Sequence, residues 1–345
     1  MSLSEKIRFI GIDCDSSLRP IKMLGNLLFS KVPYIAERFN SPAFAMRLKQ
    51  LLKEDEFNVV QLEGPYLGHY IDKVRRHSKA LISFRAHNVE YRIWERKATN
   101  EKGPLRRWYL RNMAKRLELY EIQVARESDC LVSISPLDEK GFIEMGLQKP
   151  HITIPTGLQL KEYPLTDLPK EPSVFFIGAL DWLPNQEGMK WFLDQVIDPL
   201  RKDLPGITFH VAGRNAPLAF EKLLDRKEVI YHGEIEDAKT FMKSYRIMVA
   251  PLFTGSGIRI KILEAMALGR PVVTTPIGIE GIPALNNRDI MVSDDAETFK
   301  NQIIRLCKDE GLARSLVEES RKLIQENFDT FELSTRITQF FKEQV

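Results

Sequence analysis

The 345-residue sequence predicts an α/β protein made of two doubly wound domains, each a parallel sheet covered by helices on both faces. Three observations predict it. Short apolar, β-rich runs alternate with helical patterns of about 10 to 20 residues almost throughout. The runs lack the polar alternation of a sheet with one wet face, so they read as strands buried on both sides. At about 150 residues per domain, the length points to two domains.

In chain order, strands are expected at residues 7–12, 59–62, 81–84, 130–134 and 152–154. A second set is expected at 174–177, 207–211, 229–231, 248–252, 272–275 and 290–292. Between the sets, residues 156–172 carry Pro164, Pro169 and Pro172 and no periodicity, so they read as a seam. The expected domains are therefore 1–165 and 166–328. Residues 329–345 form a last helix that could pack back on the first domain. Ser135 and Asp138 open a helix after the run at 130–134, and Ser135 reads as its N-cap.

Composition excludes several classes. Apolar residues are 43% and charged residues 28%, which rules out collagen-like and wholly disordered chains. No apolar run approaches the ~20 residues needed to span a bilayer. Cys14, Cys130 and Cys307 are odd in number and far apart. They argue against a disulfide framework and a zinc site, and for a reducing, cytoplasmic compartment. The net charge of +3 is unevenly spread. Residues 1–164 hold 27 Lys and Arg against 20 Asp and Glu, and residues 92–116 alone hold nine basic and two acidic residues. A basic stripe on one domain implies an anionic partner. Residues 102–118 read as an amphipathic helix with Leu105, Trp108, Tyr109, Asn112, Met113 and Leu117 on one side. Such a helix could lie on an anionic membrane face or serve as an ordinary core helix.

The most informative stretch is 249–281, VAPLFTGSGIRIKILEAMALGRPVVTTPIGIEG. It reads as a strand, a Gly-rich turn with Gly255, Ser256 and Gly257, a helix over 258–268, a stop at Gly269 and another strand. Glycines opening a helix after a buried strand let backbone N–H groups approach an anion. Arg259 and Lys261 fall in the expected first turn, where cations oppose the helix dipole by ~0.3–1 kcal/mol each. That cost is offset if an anion binds beside them. Glu264 sits amid Ile262, Leu263, Ala265 and Met266 and needs polar partners, which sugar hydroxyls would supply.

This stretch resembles the signature of retaining nucleotide-sugar glycosyltransferases of family 4, the glycosyl transferases group 1, which have the GT-B fold. It is closest to a subgroup with a Gly-Ser-Gly-x-Arg-x-Lys-Ile-Leu-Glu donor motif. The resemblance covers nearly all of residues 55–345. It implies that Glu264 binds the ribose, and that Ser256 stands where most members have a Glu near the donor sugar. Residues 176–185 resemble the first strand and loop of the donor domain, with Gly178, Trp182 and Asn185. Ala179 departs from the usual basic residue, so Arg259 and Lys261 are expected to supply the diphosphate's positive partners. The segments Gly213-Arg214 and Gly233-Glu234-Ile235 resemble the strand ends that border the base. In the first half, Arg85-Ala-His87-Asn88-Val89-Glu90 resembles a subgroup loop, and His87 is the candidate for contact at the reacting centre. Ile154-Pro155-Thr156-Gly157 resembles the interdomain turn.

The resemblance thus implies two Rossmann-like domains facing a cleft, with the first domain incomplete because no Gly-rich loop precedes Ile7. Met1-Ser-Leu3 is expected to be a cloning remnant. It further implies glycosyl transfer from a nucleotide sugar to a glycan or lipid-linked acceptor, without cofactor or metal, in surface polysaccharide or glycolipid synthesis. Two alternatives stay open: a catalytically inactive nucleotide-sugar-binding protein, and a nucleotide-sugar 2-epimerase. A phosphatase-like reading of Asp13-Cys-Asp15 lacks supporting motifs. A dinucleotide fingerprint, a P-loop and a nucleic-acid reading motif are absent.

Overall fold

A computed structural model describes residues 7–227, 229–255 and 257–345. The chain divides into two compact units, residues 1–155 with 336–345, and residues 156–335. The expected strand at 7–12 does not form; residues 7–19 have no regular structure, and Ile7 and Phe9 are exposed. A strand exists only by pairing. The first strand of this unit pairs on one side alone, and residues 7–12 do not pair with its open edge. Met1-Ser-Leu3 lies outside the described residues.

The first unit holds a four-stranded parallel sheet in the order β1 (Val59–Glu63), β2 (Leu81–Ala86), β3 (Cys130–Ser133), β4 (His151–Thr153). Its strands carry Leu62, Ile82, Phe84 and Leu131 into the core, where Phe84 meets Phe142 edge-on at 5.7 Å. Ser135 caps the helix Pro136–Glu144, its Oγ accepting from the Asp138 N–H at 3.1 Å. The basic segment belongs to a helix longer than expected, Pro104–Glu127. Met113 and Leu117 turn into the core, while Leu105 and Trp108 stay in solvent. The expected single apolar face is therefore split between core and surface. Among the described residues no helix is long and apolar enough to cross a membrane.

The second unit is a six-stranded parallel sheet. Its strands are β5 (Ser173–Ile177), β6 (Thr208–Ala212), β7 (Val229–Tyr231), β8 (Ile247–Ala250), β9 (Val272–Thr274) and β10 (Met291–Val292), in the order β10-β9-β8-β5-β6-β7. Both faces are apolar. Phe176, Phe192, Phe209 and Phe299 pack on one side, and Phe175, Ile262, Met266 and Phe328 on the other. Continuous apolar strands need this double cover.

The segment without periodicity, 156–172, is held to this unit by three arginines. Arg270, fully buried, donates to the Thr166 and Asp167 carbonyls at 2.6 and 3.0 Å. Arg246 reaches the Pro169 carbonyl at 2.9 Å and Glu310 at 2.6 Å. Arg321 donates to the Tyr163 carbonyl at 2.8 Å. Polar anchoring joins the scattered apolar contacts of Leu158, Tyr163 and Leu168, which have no regular period, and so hydrophobic patterning misses the segment. The helix Thr330–Gln344 begins in the second unit, and residues 336–345 group with the first.

Candidate functional site

Strand order reverses at β5, which has β6 on one side and β8 on the other. The connections leave in opposite directions there, so a crevice opens beyond the carboxyl ends of these strands. A cavity of about 680 Å³ occupies that place. Gly178 and Trp182 after β5, Gly213 and Arg214 after β6, and Arg259 and Lys261 beyond β8 line it. Asn185, Ile235 and Glu234 complete the wall.

The three strand ends are knit together by backbone. Gly178 N–H donates to the Ala212 carbonyl at 3.2 Å, Leu180 N–H to Arg214 at 2.9 Å, and Gly213 N–H to Gly233 at 2.8 Å. Gly213 lies so close to the Gly178 carbonyl that a Cβ would sit 2.0 Å from its oxygen. Asn185 is buried and donates to the Ala179 carbonyl at 2.8 Å, fixing the loop after β5. Gly233 shapes the loop from behind at φ +66° and does not line the cavity.

The Gly-rich turn needs its glycines. Gly255 has φ +108° and Gly257 φ +87°, both in the left-handed region. Ser256 lies outside the described residues. The helix runs Ile260–Ala267, shorter than the expected 258–268, so Arg259 sits at the N-cap and not inside the first turn. Its guanidinium lies 5.3 Å over the Trp182 ring and donates to the Gly257 carbonyl at 2.8 Å. Such stacking holds a cation at about 0.5–2 kcal/mol. Burial lowers the Arg259 pKa from its ordinary value, which raises the benefit of an anion beside it.

Lys261 is partly exposed, its Nζ 2.7 Å from Glu264 Oε2. Glu264 is largely buried and does not itself line the cavity. The Tyr163 hydroxyl donates to Glu264 Oε1 at 2.8 Å. Tyr163 comes from the segment before β5, and no motif pointed to it. Thr254 donates to Glu187 at 2.8 Å and so ties the turn to the helix Leu183–Trp191, a link that sequence reasoning also missed.

His87 belongs to the first unit, in the loop between β2 and the helix Glu90–Asn100. It is exposed, with Nε2 2.6 Å from Glu63 Oε2. Its loop is clamped by two acidic side chains. Asp138 accepts the Val89 N–H at 3.1 Å, and buried Glu121 accepts those of Glu90 and Tyr91 at 2.8 Å each. Among the described residues no group of three or more His, Cys, Asp or Glu could hold a metal ion.

The second unit thus places a cavity at the switch point of its sheet, with Arg259 and Lys261 at a helix start on its wall. Residues 171–309 match the family model described as glycosyl transferases group 1. The chain is 24% identical over 307 residues to an "Uncharacterized 44.6 kDa protein in cps region" of Klebsiella pneumoniae, covering 86% of this chain and 76% of that protein. Among solved structures it is similar to a sucrose-phosphate synthase of Thermosynechococcus elongatus, with TM-score 0.64, 18% identity, and coverage of 90% of this chain and 78% of that one. It is also similar to HepE of Anabaena in complex with UDP, with TM-score 0.66, 13% identity, and coverage of 87% and 82%. The fold is the two-domain Rossmann-like GT-B fold, and within the second unit residues 171–309 are similar to the glycosyl transferases group 1.

Proposed function

We propose that the chain transfers a glycosyl group from a nucleoside-diphosphate sugar to a glycan or lipid-linked acceptor, with retention of configuration, in surface polysaccharide or glycolipid synthesis. One observation carries the reading: the switch-point cavity brings Arg259 and Lys261 together at the start of the helix Ile260–Ala267. An anionic diphosphate fits two cations beside a positive helix end. In the transfer, the sugar's bond to the diphosphate oxygen breaks and a bond to the acceptor oxygen forms. The departing charge is stabilised by groups already in place.

Glu264 takes the ribose hydroxyls in this reading. Gly213, Arg214, Gly233 and Ile235 border the base, and Gly255 and Gly257 leave backbone room for the phosphates and sugar, with Ser256 assigned to the donor sugar by the resemblance alone. His87, paired with Glu63, is assigned to the reacting centre by the resemblance alone, and the reaction is read as needing no metal or cofactor. The basic helix with exposed Leu105 and Trp108 favours contact with an anionic membrane face. The cps-region relative supports a polysaccharide setting.

The test is Lys261→Ala and Glu264→Ala assayed for nucleoside-diphosphate affinity. Loss of one charge-assisted hydrogen bond, about 1.5–3 kcal/mol, predicts roughly 10- to 100-fold weaker binding. Unchanged affinity in both variants overturns the placement of the site. Product analysis without acceptor separates transfer from 2-epimerisation.

A further inference from the structure

Glu264 carries two oxygens in different states. Oε1 accepts the Tyr163 hydroxyl at 2.8 Å. Oε2 is buried and paired with Lys261, whose Nζ lies 2.7 Å away. A carboxylate on a helix rotates about its own side-chain bonds, and only a fixed donor selects one setting. Tyr163 is such a donor. Its ring is buried in the apolar cluster with Leu263, Met266 and Phe328. Its carbonyl is held by Arg321 at 2.8 Å, and the Lys239 ammonium lies 4.3 Å over its ring. Lys239 is itself tied to Glu162 at 2.8 Å. Its hydroxyl donates to Glu264 Oε1.

We propose that Tyr163 is a positioning residue for nucleotide recognition: it pins Glu264 Oε1 so that Oε2 stays available to the vicinal hydroxyls of a ribose. This inference rests on the ribose role proposed for Glu264. Lys261 pairs with Oε2, and a diphosphate beside Lys261 draws its ammonium away and leaves Oε2 to the ribose. Tyr163 then holds the carboxylate through both states. Discrimination between a ribonucleotide and its 2′,3′-dideoxy counterpart follows from that hold.

The experiment compares Tyr163→Phe with the parent by calorimetric titration of UDP and GDP and of the dideoxy form of whichever binds. The expected result is 3- to 10-fold weaker binding of the ribonucleotide, about 0.7–1.4 kcal/mol, with the dideoxy affinity unchanged. A merely structural role would move both ligands equally and lower the melting temperature with them. Equal loss for both ligands, or no loss for either, overturns the inference. Glu264→Gln separates the two levels. If it weakens the ribonucleotide selectively and Tyr163→Phe does not, only the positioning role fails. If neither variant discriminates, or the parent binds neither nucleotide, the ribose reading fails and takes this inference with it.

Discussion

Gly213→Ala adds one methyl group at the wall of the switch-point cavity. The new Cβ would sit 2.0 Å from the Gly178 carbonyl oxygen and 2.7 Å from Leu180 Cγ, where ordinary contacts begin at 3.4 Å. Leu180 is fully buried and has no room to turn away. Relief requires the loops after β5 and β6 to part by more than an ångström. They are joined there by the Gly178–Ala212 and Leu180–Arg214 backbone bonds. Overpacking costs about 1–3 kcal/mol, and each stretched bond adds about 1 kcal/mol. A loss of roughly 3 kcal/mol follows, which for a unit of this size lowers the melting temperature by roughly 6–12 °C.

The assay is thermal and urea unfolding of parent and variant, with a nucleotide titration on each. Gly311→Ala is the control. Its Cβ would meet nothing nearer than 3.4 Å, at the start of the helix Glu310–Phe328, so stability should hold or rise slightly. A Gly213→Ala protein within about 0.5 kcal/mol of the parent, with parental nucleotide affinity, would refute the close packing that shapes the cavity.

Two further outcomes concern pH. Burial, with His232 beside it, pushes His210 down to about 4. The unfolded imidazole, near 6.5, binds more protons between those values. The second unit should therefore lose on the order of 1–3 kcal/mol as pH falls from 6.5 toward 4. Hydrogen exchange of β5 and β6 amides reads this, and His210→Gln should flatten the slope. Glu121 behaves oppositely: burial raises it to about 8, so the native state holds the extra proton between the ordinary carboxylate value and 8. Stability of the first unit should decline as pH rises through that window, and Glu121→Gln should remove the decline, read by exchange in β2 and β3.

Much of this was legible from residue patterns. The runs from 59 to 292 all became strands, because each is apolar enough to be buried on both faces and has a partner to pair with. The run at 7–12 is equally apolar yet stays unpaired, since hydrophobicity reports the wish for burial and not the presence of a neighbour. The turn glycines were readable because Gly255 and Gly257 occupy a backbone region that other residues avoid. Gly178, Trp182, Asn185, Gly213, Arg214, Ile235, Arg259 and Lys261 do converge on one cavity. Glu264 and Gly233 stand behind its wall, and His87 sits on the other unit. Tyr163 was not legible, because it lies 101 residues from Glu264 in a segment without periodicity. Arg246, Arg270 and Arg321 escaped for the same reason. A buried arginine gives no period, only a set of carbonyls that the fold brings to it.

In the proposed reading a nucleoside diphosphate sits in the cavity beyond β5 and β8 against Lys261 and Arg259, with Glu264 paired to Lys261. Calorimetric titration of the parent protein with UDP and GDP, with and without magnesium, tests it most directly. The account predicts that one of the two binds at micromolar strength without metal, and that Lys261→Ala weakens that binding at least about tenfold. Failure of both nucleotides to bind, or binding that Lys261→Ala and Glu264→Ala leave untouched, would contradict it.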